Sequence, residues 1–559
     1  MPKTSFTHSL PETIQNSLES HAEQWRAENK VDRIWKKDAS VWSNADEAKW
    51  LGWLSIVDEE LGNVDKYREL REDIISAGFK DILLMGMGGS SLCPEVLAIT
   101  FGVKNFHILD STVPAQVKNI ETKLDLANTL FIVASKSGST LEPNCFKQYF
   151  FDRVSQISDQ PGKQFIAITD PGSKMEQAAK ADGFRHIIYG KPEIGGRFSA
   201  LSAFGMTAAA SMGLDVERIL KVGSTMVASC RNEDPIENPG ALLGLILGLC
   251  HANGRDKLTI FTSREIHDLG AWLEQLVAES TGKNGVAIIP VDRERAQPAV
   301  SYGTDRVFVN LKVNGSDGDI DLAALHATGH PVIEITLEDI YDIGAEFFRW
   351  EFATAVAGAV MQINPFDQPD VESAKIEAKK ITEEYEQTGS LPEETPFFEN
   401  EHFKLFSSEA YSLKLWGMTD EKGIAEYVSA HLANIEECDY FALLAYLEMN
   451  EANERALQTI RTRVLEKYLP ATCLGFGPRF LHSTGQAYKG GANNGVFLQI
   501  TSDDDVDLRV PGQKYTFGVV KAAQARGDFQ VLLDRNRRAL RVHITGDVTT
   551  GLAKLTELI

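Results

Sequence analysis

Four hydroxyl side chains, one lysine and one glycine fall within Ser135-Lys136-Ser137-Gly138-Ser139-Thr140, directly after the apolar run Leu130–Ala134. Hydroxyls, a lysine and exposed backbone amides at the start of a helix suit a phosphate dianion. The plainer alternative is a hydroxyl-rich helix cap with a solvated lysine. The Gly-Lys-Ser/Thr of a Walker loop is absent, so the segment points to a phosphorylated metabolite rather than a phosphoryl donor. Gly86-Met87-Gly88-Gly89-Ser90-Ser91 also follows an apolar run, and Gly88, Gly89 and Ser90 would let backbone amides approach a ligand. Asp110, about 20 residues on, keeps a dinucleotide reading open, but Ser91 stands where that fingerprint has its third glycine.

Four further positions could carry chemistry. Arg197 follows a glycine pair in Ile194-Gly195-Gly196-Arg197-Phe198-Ser199, and a guanidinium held by tight backbone could stabilise an oxyanion. Glu279 lies where an apolar helix runs out into Ser280-Thr281-Gly282-Lys283, and a carboxylate facing a cleft there could shuttle a proton between adjacent carbons. Asn364-Pro365-Phe366-Asp367-Gln368-Pro369 breaks an Ala-rich helix shortly before Lys375, and His482 sits in Leu481-His482-Ser483-Thr484-Gly485-Gln486. Taken singly, each has a bland alternative: a surface ion pair, a solvated carboxylate, a proline-bounded turn, a structural histidine. Neither His-Glu-x-x-His nor Gly-x-Ser-x-Gly occurs, so the chemistry is expected to need no metal or cofactor.

These residues need a scaffold, and 559 residues suffice for more than one core. A net charge of −23 argues against a nucleic-acid partner, although a local basic pocket can still take an anionic metabolite. The start Met1-Pro2-Lys3-Thr4-Ser5 has no secretory character, and the apolar run Ala241–Cys250 is too short to span a bilayer. The six scattered cysteines form no Cys-x-x-Cys pair. A cytoplasmic protein with buried thiols and no membrane contact is expected.

Tryptophans and helical periodicity mark residues 1–75 as a helical lead-in. Short apolar runs then alternate with helical stretches, which argues for βαβ units on parallel sheets with active loops at the strands' carboxyl ends. One such unit is expected over 76–230 and a second over 231–382. Residues 383–470 read as an acidic, proline-containing connection with charged helices, a helical insertion. Residues 471–559, which carry His482, are expected to complete the second unit.

As a set and in this order, the motifs resemble those of the phosphoglucose isomerase family. The resemblance covers about residues 80 to 380. It implies an α/β chain of two sugar-isomerase-type parallel-sheet αβα sandwich domains, with the helical lead-in and helical insertion added. It implies substrate phosphate held by Ser135, Lys136, Ser137 and Thr140, and sugar contacts from Gly88, Gly89, Ser90 and Gln368. Glu279 becomes the isomerisation base, Arg197 the enediolate-stabilising arginine, and His482 with Lys375 the ring-opening pair. The implied reaction is metal-free interconversion of glucose 6-phosphate and fructose 6-phosphate, by a homodimer. A dual enzyme that also takes mannose 6-phosphate, through Thr281 beside Glu279, and a non-catalytic sugar-phosphate sensor are the alternatives.

One departure stands out. The family's histidine segment usually precedes the Phe-Asp-Gln signature, whereas here it follows Lys375 by about 100 residues. His326 precedes the signature but lacks the segment's glutamine. The late histidine is similar to the isomerase half of bifunctional transaldolase/phosphoglucose isomerase proteins. The residues before the isomerase region are too few for a transaldolase barrel, so transaldolase activity is not expected.

Overall fold

The computed structural model describes residues 4–316 and 320–559; residues 1–3, the head of the polar start, lie outside them. Strand β1 (Ser5–Ser9) precedes four lead-in helices, Glu12–Ala27, Lys30–Trp35, Trp53–Gly62 and Asp65–Ser76. The lead-in is therefore not purely helical. Alternation in Ser5-Phe6-Thr7-His8-Ser9 suits an edge strand, and β1 pairs antiparallel with a strand more than 300 residues away.

The first sheet comprises β2 (Asp81–Gly86), β3 (Phe106–Leu109), β4 (Thr129–Ala134), β5 (Phe165–Thr169) and β6 (His186–Tyr189), in the order 3-2-4-5-6. All of its pairings are parallel. Every residue of β4 and β5 is buried, as unbroken apolar runs covered by helices on both faces require. The second sheet comprises β7 (Lys257–Thr262), β8 (Ile289–Asp292), β9 (Arg306–Val313) and β10 (Val332–Leu337), in the order 1-10-9-7-8. It is parallel except for β1. Between these sheets run the helices Pro239–Ala252 and Ile343–Val360, buried along almost their whole length. The apolar run Ala241–Cys250 is thus a core helix, and no helix of the described residues is long and apolar enough to cross a membrane.

The remainder departs from expectation. Residues 383–470 hold β11 (Phe398–Glu399), β12 (Phe403–Phe406) and β13 (Tyr440–Tyr446) as well as helices. Residues 471–559 add β14 (Ala471–Phe476), β15 (Gly495–Ser502) and β16 (Arg538–Ile544). Together they form a third sheet, in the order 11-12-16-15-13-14, with β13 to β16 parallel and β11 and β12 antiparallel at one edge. It is neither a helical insertion nor a completion of the second sheet. The apolar run Tyr440–Tyr446 that forms β13 sits among charged helices, and all seven of its residues are buried.

This third unit is welded to the second. Glu294 pairs with Arg306 at 3.1 Å and accepts hydrogen bonds from the Thr472 amide (2.7 Å) and hydroxyl (2.8 Å). A shared core of Ile289, Val291, Tyr440, Cys473 and Phe497 lies beneath. The six cysteines are free thiols; five are buried, and Cys438 is exposed.

Candidate active site

Arg197 lies on a short turn, Gly196–Phe198, that the lead-in supports from behind. Trp53 stacks on Phe198 (5.4 Å between centroids), Phe198 meets Phe366 (5.2 Å), and Trp42 packs edge-on to Phe366 (5.4 Å). Two of the sequence's early tryptophans thus brace both the arginine turn and the 364–369 turn.

The guanidinium is buried and fully engaged. It donates to Ser280 Oγ (2.7 Å), Gln368 Oε1 (3.0 Å) and the carbonyls of Pro365 (2.7 Å) and Asp367 (3.0 Å). Its Nη1 lies 3.2 Å from Glu279 Oε1. Burial lowers the Arg197 pKa, while the Glu279 and Asp367 carboxylates oppose that shift.

Glu279 occupies the last turn of the Leu269–Thr281 helix. Lys283, just beyond, ties that helix end to the 364–369 turn by donating to the Asn364 carbonyl (2.7 Å), the Asp367 carbonyl (2.6 Å) and Asp367 Oδ1 (2.7 Å). Burial, and secondarily Arg197, bring the Lys283 ammonium down to about 8.

His482 belongs to the same site in the same chain. Its turn, Arg479–His482, follows the carboxyl end of β14. Gln275, one helical turn before Glu279, donates through Nε2 to Glu279 Oε2 (3.0 Å) and to the His482 carbonyl (2.8 Å). His482 Nε2 contacts Glu142 Oε1 at 2.9 Å. Gln524 Nε2 donates to that same oxygen (2.6 Å) and is itself held by the Thr112 hydroxyl (2.6 Å). Burial would raise the Glu142 carboxyl, but the charge and hydrogen bond of His482 prevail and hold it below the ordinary range. Gln486 caps the Pro369–Thr388 helix, accepting from the amides of Asp370 (2.9 Å) and Val371 (3.0 Å), and so couples the histidine segment to the helix that carries Lys375.

The loops behave differently from one another. Gly89 packs so closely on the arginine turn that a Cβ there would lie 1.9 Å from the Gly196 carbonyl oxygen. Gly88, at φ +54°, backs onto Gln275 and His482, and Ser90 is buried in the same short turn. Ser137, Gly138 and Thr140 line a cavity of about 770 Å³, together with Glu142, Lys375 and His482. Gly138, at φ +66°, turns the loop into the Leu141–Ser155 helix, and Asn144 Nδ2 fixes the Gly138 and Thr140 carbonyls.

Two expected phosphate ligands point elsewhere. Lys136 Nζ is held by Asp170 (3.0 Å) and the Lys191 carbonyl (2.9 Å), so it braces the loop from beneath. Ser135 is buried just past the end of β4 and does not line the cavity, and its hydroxyl has no partner among the described residues. Lys375 does line the cavity, half-exposed and paired with Glu372 at 2.7 Å. Asp110, the position that kept the dinucleotide reading open, is buried against the Ser91 hydroxyl (3.2 Å) and Arg479 Nε (3.3 Å). His326 lies far along the second sheet, on the Leu322–Ala327 helix.

Glu142, Gln275 and Gln524 are site residues that sequence reasoning passed over. Glu142 could have been found, since an acid in the first turn after a phosphate-type loop is conspicuous. Gln524, more than 400 residues from Thr112, left no local signal.

Residues 64–306 match the family model described as Phosphoglucose isomerase. A protein named probable glucose-6-phosphate isomerase, from Methanococcus maripaludis, is 28% identical over 370 residues, covering 58% of this chain and 82% of its own. The glucose-6-phosphate isomerase of Methanocaldococcus jannaschii is 28% identical over 366 residues, covering 58% of this chain and 88% of its own. The crystal structure of a glucose-6-phosphate isomerase from Chlamydia trachomatis shares the fold, with a TM-score of 0.54 over 68% of this chain and 88% of that one, at 19% identity. His482 borders the cavity of the Ser137–Thr140 loop and is tied through Gln275 to Glu279 beside Arg197, and with these relatives beside it the chain carries a phosphoglucose isomerase-type region at residues 64–306.

Proposed function

We propose that the protein interconverts glucose 6-phosphate and fructose 6-phosphate by ring opening and a cis-enediolate intermediate, without a metal. The observation that carries this reading is the juxtaposition of Arg197 and Glu279, a base beside an oxyanion stabiliser, with His482 tied to the same site through Gln275. The names of the relatives point the same way.

In this reading the loop Ser137–Thr140 holds the substrate phosphate, and binding at that remote group positions the reacting carbons. His482, polarised by Glu142 and aided by Lys375, exchanges a proton with the ring oxygen and opens the ring. Glu279 removes the C2 proton of the aldose and returns it at C1, and Arg197 stabilises the charge that develops between them. Gln368 orients the guanidinium and contacts the sugar. We assign the working enzyme as a homodimer by family resemblance.

Nothing favours the dual-specificity alternative through Thr281, whose hydroxyl donates to the Val277 carbonyl (2.8 Å) and accepts from the Ile288 amide (2.9 Å), within the helix end. A pure sensor would need the phosphate loop but not the proton-transfer groups.

The test is turnover of fructose 6-phosphate, coupled to glucose-6-phosphate dehydrogenase in the presence of EDTA. The native chain should turn over, and Glu279→Gln should lose at least about 100-fold in kcat while still binding substrate. Near-native turnover by Glu279→Gln would sink the assignment.

A further inference from the structure

The third sheet has a second crevice that the isomerase reading leaves unused. Its parallel strands direct their carboxyl ends to one side, where ligands of open α/β sheets bind. The loop after β14 supplies His482 there. The ends of β15 and β16 border a separate cavity of about 470 Å³.

Two guanidiniums face each other in this cavity. Arg541, on β16, is buried, with its guanidinium against the Phe406 ring (4.2 Å). Arg526 comes from the Phe517–Asp534 helix. Between them lies the carboxylate of Glu394, 2.7 Å from Arg541 Nη2 and 2.7 Å from Arg526 Nε. Glu394 belongs to the acidic, proline-containing stretch Leu391–Pro396, which has no regular secondary structure and lines one side of the cavity. Arg526 Nη1 also donates to the Pro392 carbonyl, at 2.6 Å.

The chain's own carboxylate therefore occupies a position built for an anion. Paired arginines recognise planar or tetrahedral oxyanions through fork-like donors. A carboxylate has two oxygens, and here each is used by one arginine. Among the described residues, Arg541 Nε is left buried without an acceptor. A buried donor without a partner is costly, and a third oxygen would relieve it. A phosphate monoester offers three. The other basic groups around the cavity are already engaged: Lys521 by the Ser502 carbonyl (3.0 Å) and Asp504 (2.6 Å), His543 by Thr501 (2.9 Å) and Asp503 (3.2 Å), and Lys404 by Glu399 (2.9 Å).

We infer that this cavity is a second binding site, for the phosphate group of a small phosphorylated metabolite, and that Glu394 is the internal anion such a ligand displaces. The strap Leu391–Pro396 is then the element that opens. This site is separate from the Ser137–Thr140 loop and does not depend on the reaction proposed above.

The test is equilibrium dialysis of radiolabelled inorganic phosphate against the full chain, the Glu394→Ala variant, and Glu394→Ala combined with Arg526→Gln. Both substitutions lie at a partly exposed rim, and circular dichroism verifies the fold. Any phosphate held by the Ser137–Thr140 loop contributes equally to all three proteins, so differences report the second cavity alone. Removing the competing carboxylate should tighten one phosphate equivalent per chain by about tenfold or more, and Arg526→Gln should abolish that gain. Identical isotherms for the native chain and Glu394→Ala would overturn the site. So would a gain that survives Arg526→Gln. Acetate competing as effectively as phosphate at equal ionic strength would overturn the assigned ligand class.

Discussion

Arg197 Nη1 stands 3.2 Å from Glu279 Oε1, and both groups are buried, the guanidinium almost completely. An ion pair this enclosed is held in place by the other donors and acceptors around it. Lysine at 197 would keep the charge but lose the fork that reaches Ser280, Gln368, Pro365 and Asp367 together. Arg197→Lys should lower kcat by about 100- to 1000-fold, with a smaller change in KM. Steady-state kinetics on fructose 6-phosphate check this, and an unchanged kcat would remove Arg197 from the transition state.

Glu142 positions His482 at 2.9 Å, and replacing its carboxylate with an amide should disturb ring opening rather than proton transfer between carbons. Glu142→Gln is expected to reduce turnover of cyclic substrate by about 100-fold. A sugar phosphate too short to close a ring should be affected much less. Equal losses on both substrates would mean that the pair does not serve ring opening.

The same carboxyl carries a pH signature. Its folded-state pKa lies below its ordinary value of 4.5, chiefly through the charge of His482 against the opposing effect of burial. The stabilisation is therefore complete above pH 4.5 and is lost as pH falls through the lower folded-state value. In urea titrations the native chain should exceed Glu142→Gln in stability at neutral pH, and the gap should close as the solution is acidified.

Gly89 has no room for a side chain, since its Cβ would fall 1.9 Å from the Gly196 carbonyl oxygen. Gly89→Ala must push apart the sugar-side loop and the turn that bears Arg197. A displacement of about 1 Å at such a site costs on the order of 100-fold in rate. Gly195→Ala, where a Cβ meets nothing within 4 Å, is the matched control and should stay near native.

Trp53 is fully buried and stacked on Phe198. Trp53→Ala should destabilise the fold by about 3–5 kcal/mol, read from urea unfolding. The residual folded protein should also lose activity, because the cavity opens behind Arg197. A full loss of stability with native kcat per folded molecule would show that the aromatic brace serves stability alone.

The parallel strands of the first two sheets were legible in the sequence by itself, because unbroken apolar runs of strand length such as Leu130–Ala134 and Phe165–Thr169, bounded by turn residues, suit buried strands; the edge strand β1 was not, since it lies in a lead-in of helical periodicity. It also singled out the candidate chemistry-bearing residues, since Arg197, Glu279, Gln368, Lys375 and His482 stand in ordered local motifs. It did not reveal the third sheet, whose strands β11 and β12 are short and whose strand β13 lies among charged helices, so the local pattern favours helix. Nor could it separate Lys136 from Ser137, adjacent residues of one loop. The pleat and the turn at Gly138 send the serine to the cavity and the lysine back to Asp170. Only the tertiary structure decided that a histidine about 100 residues too late still reaches the site. Position along the chain does not fix position in space once β14 ends beside the Leu269–Thr281 helix, where Gln275 bridges Glu279 and His482.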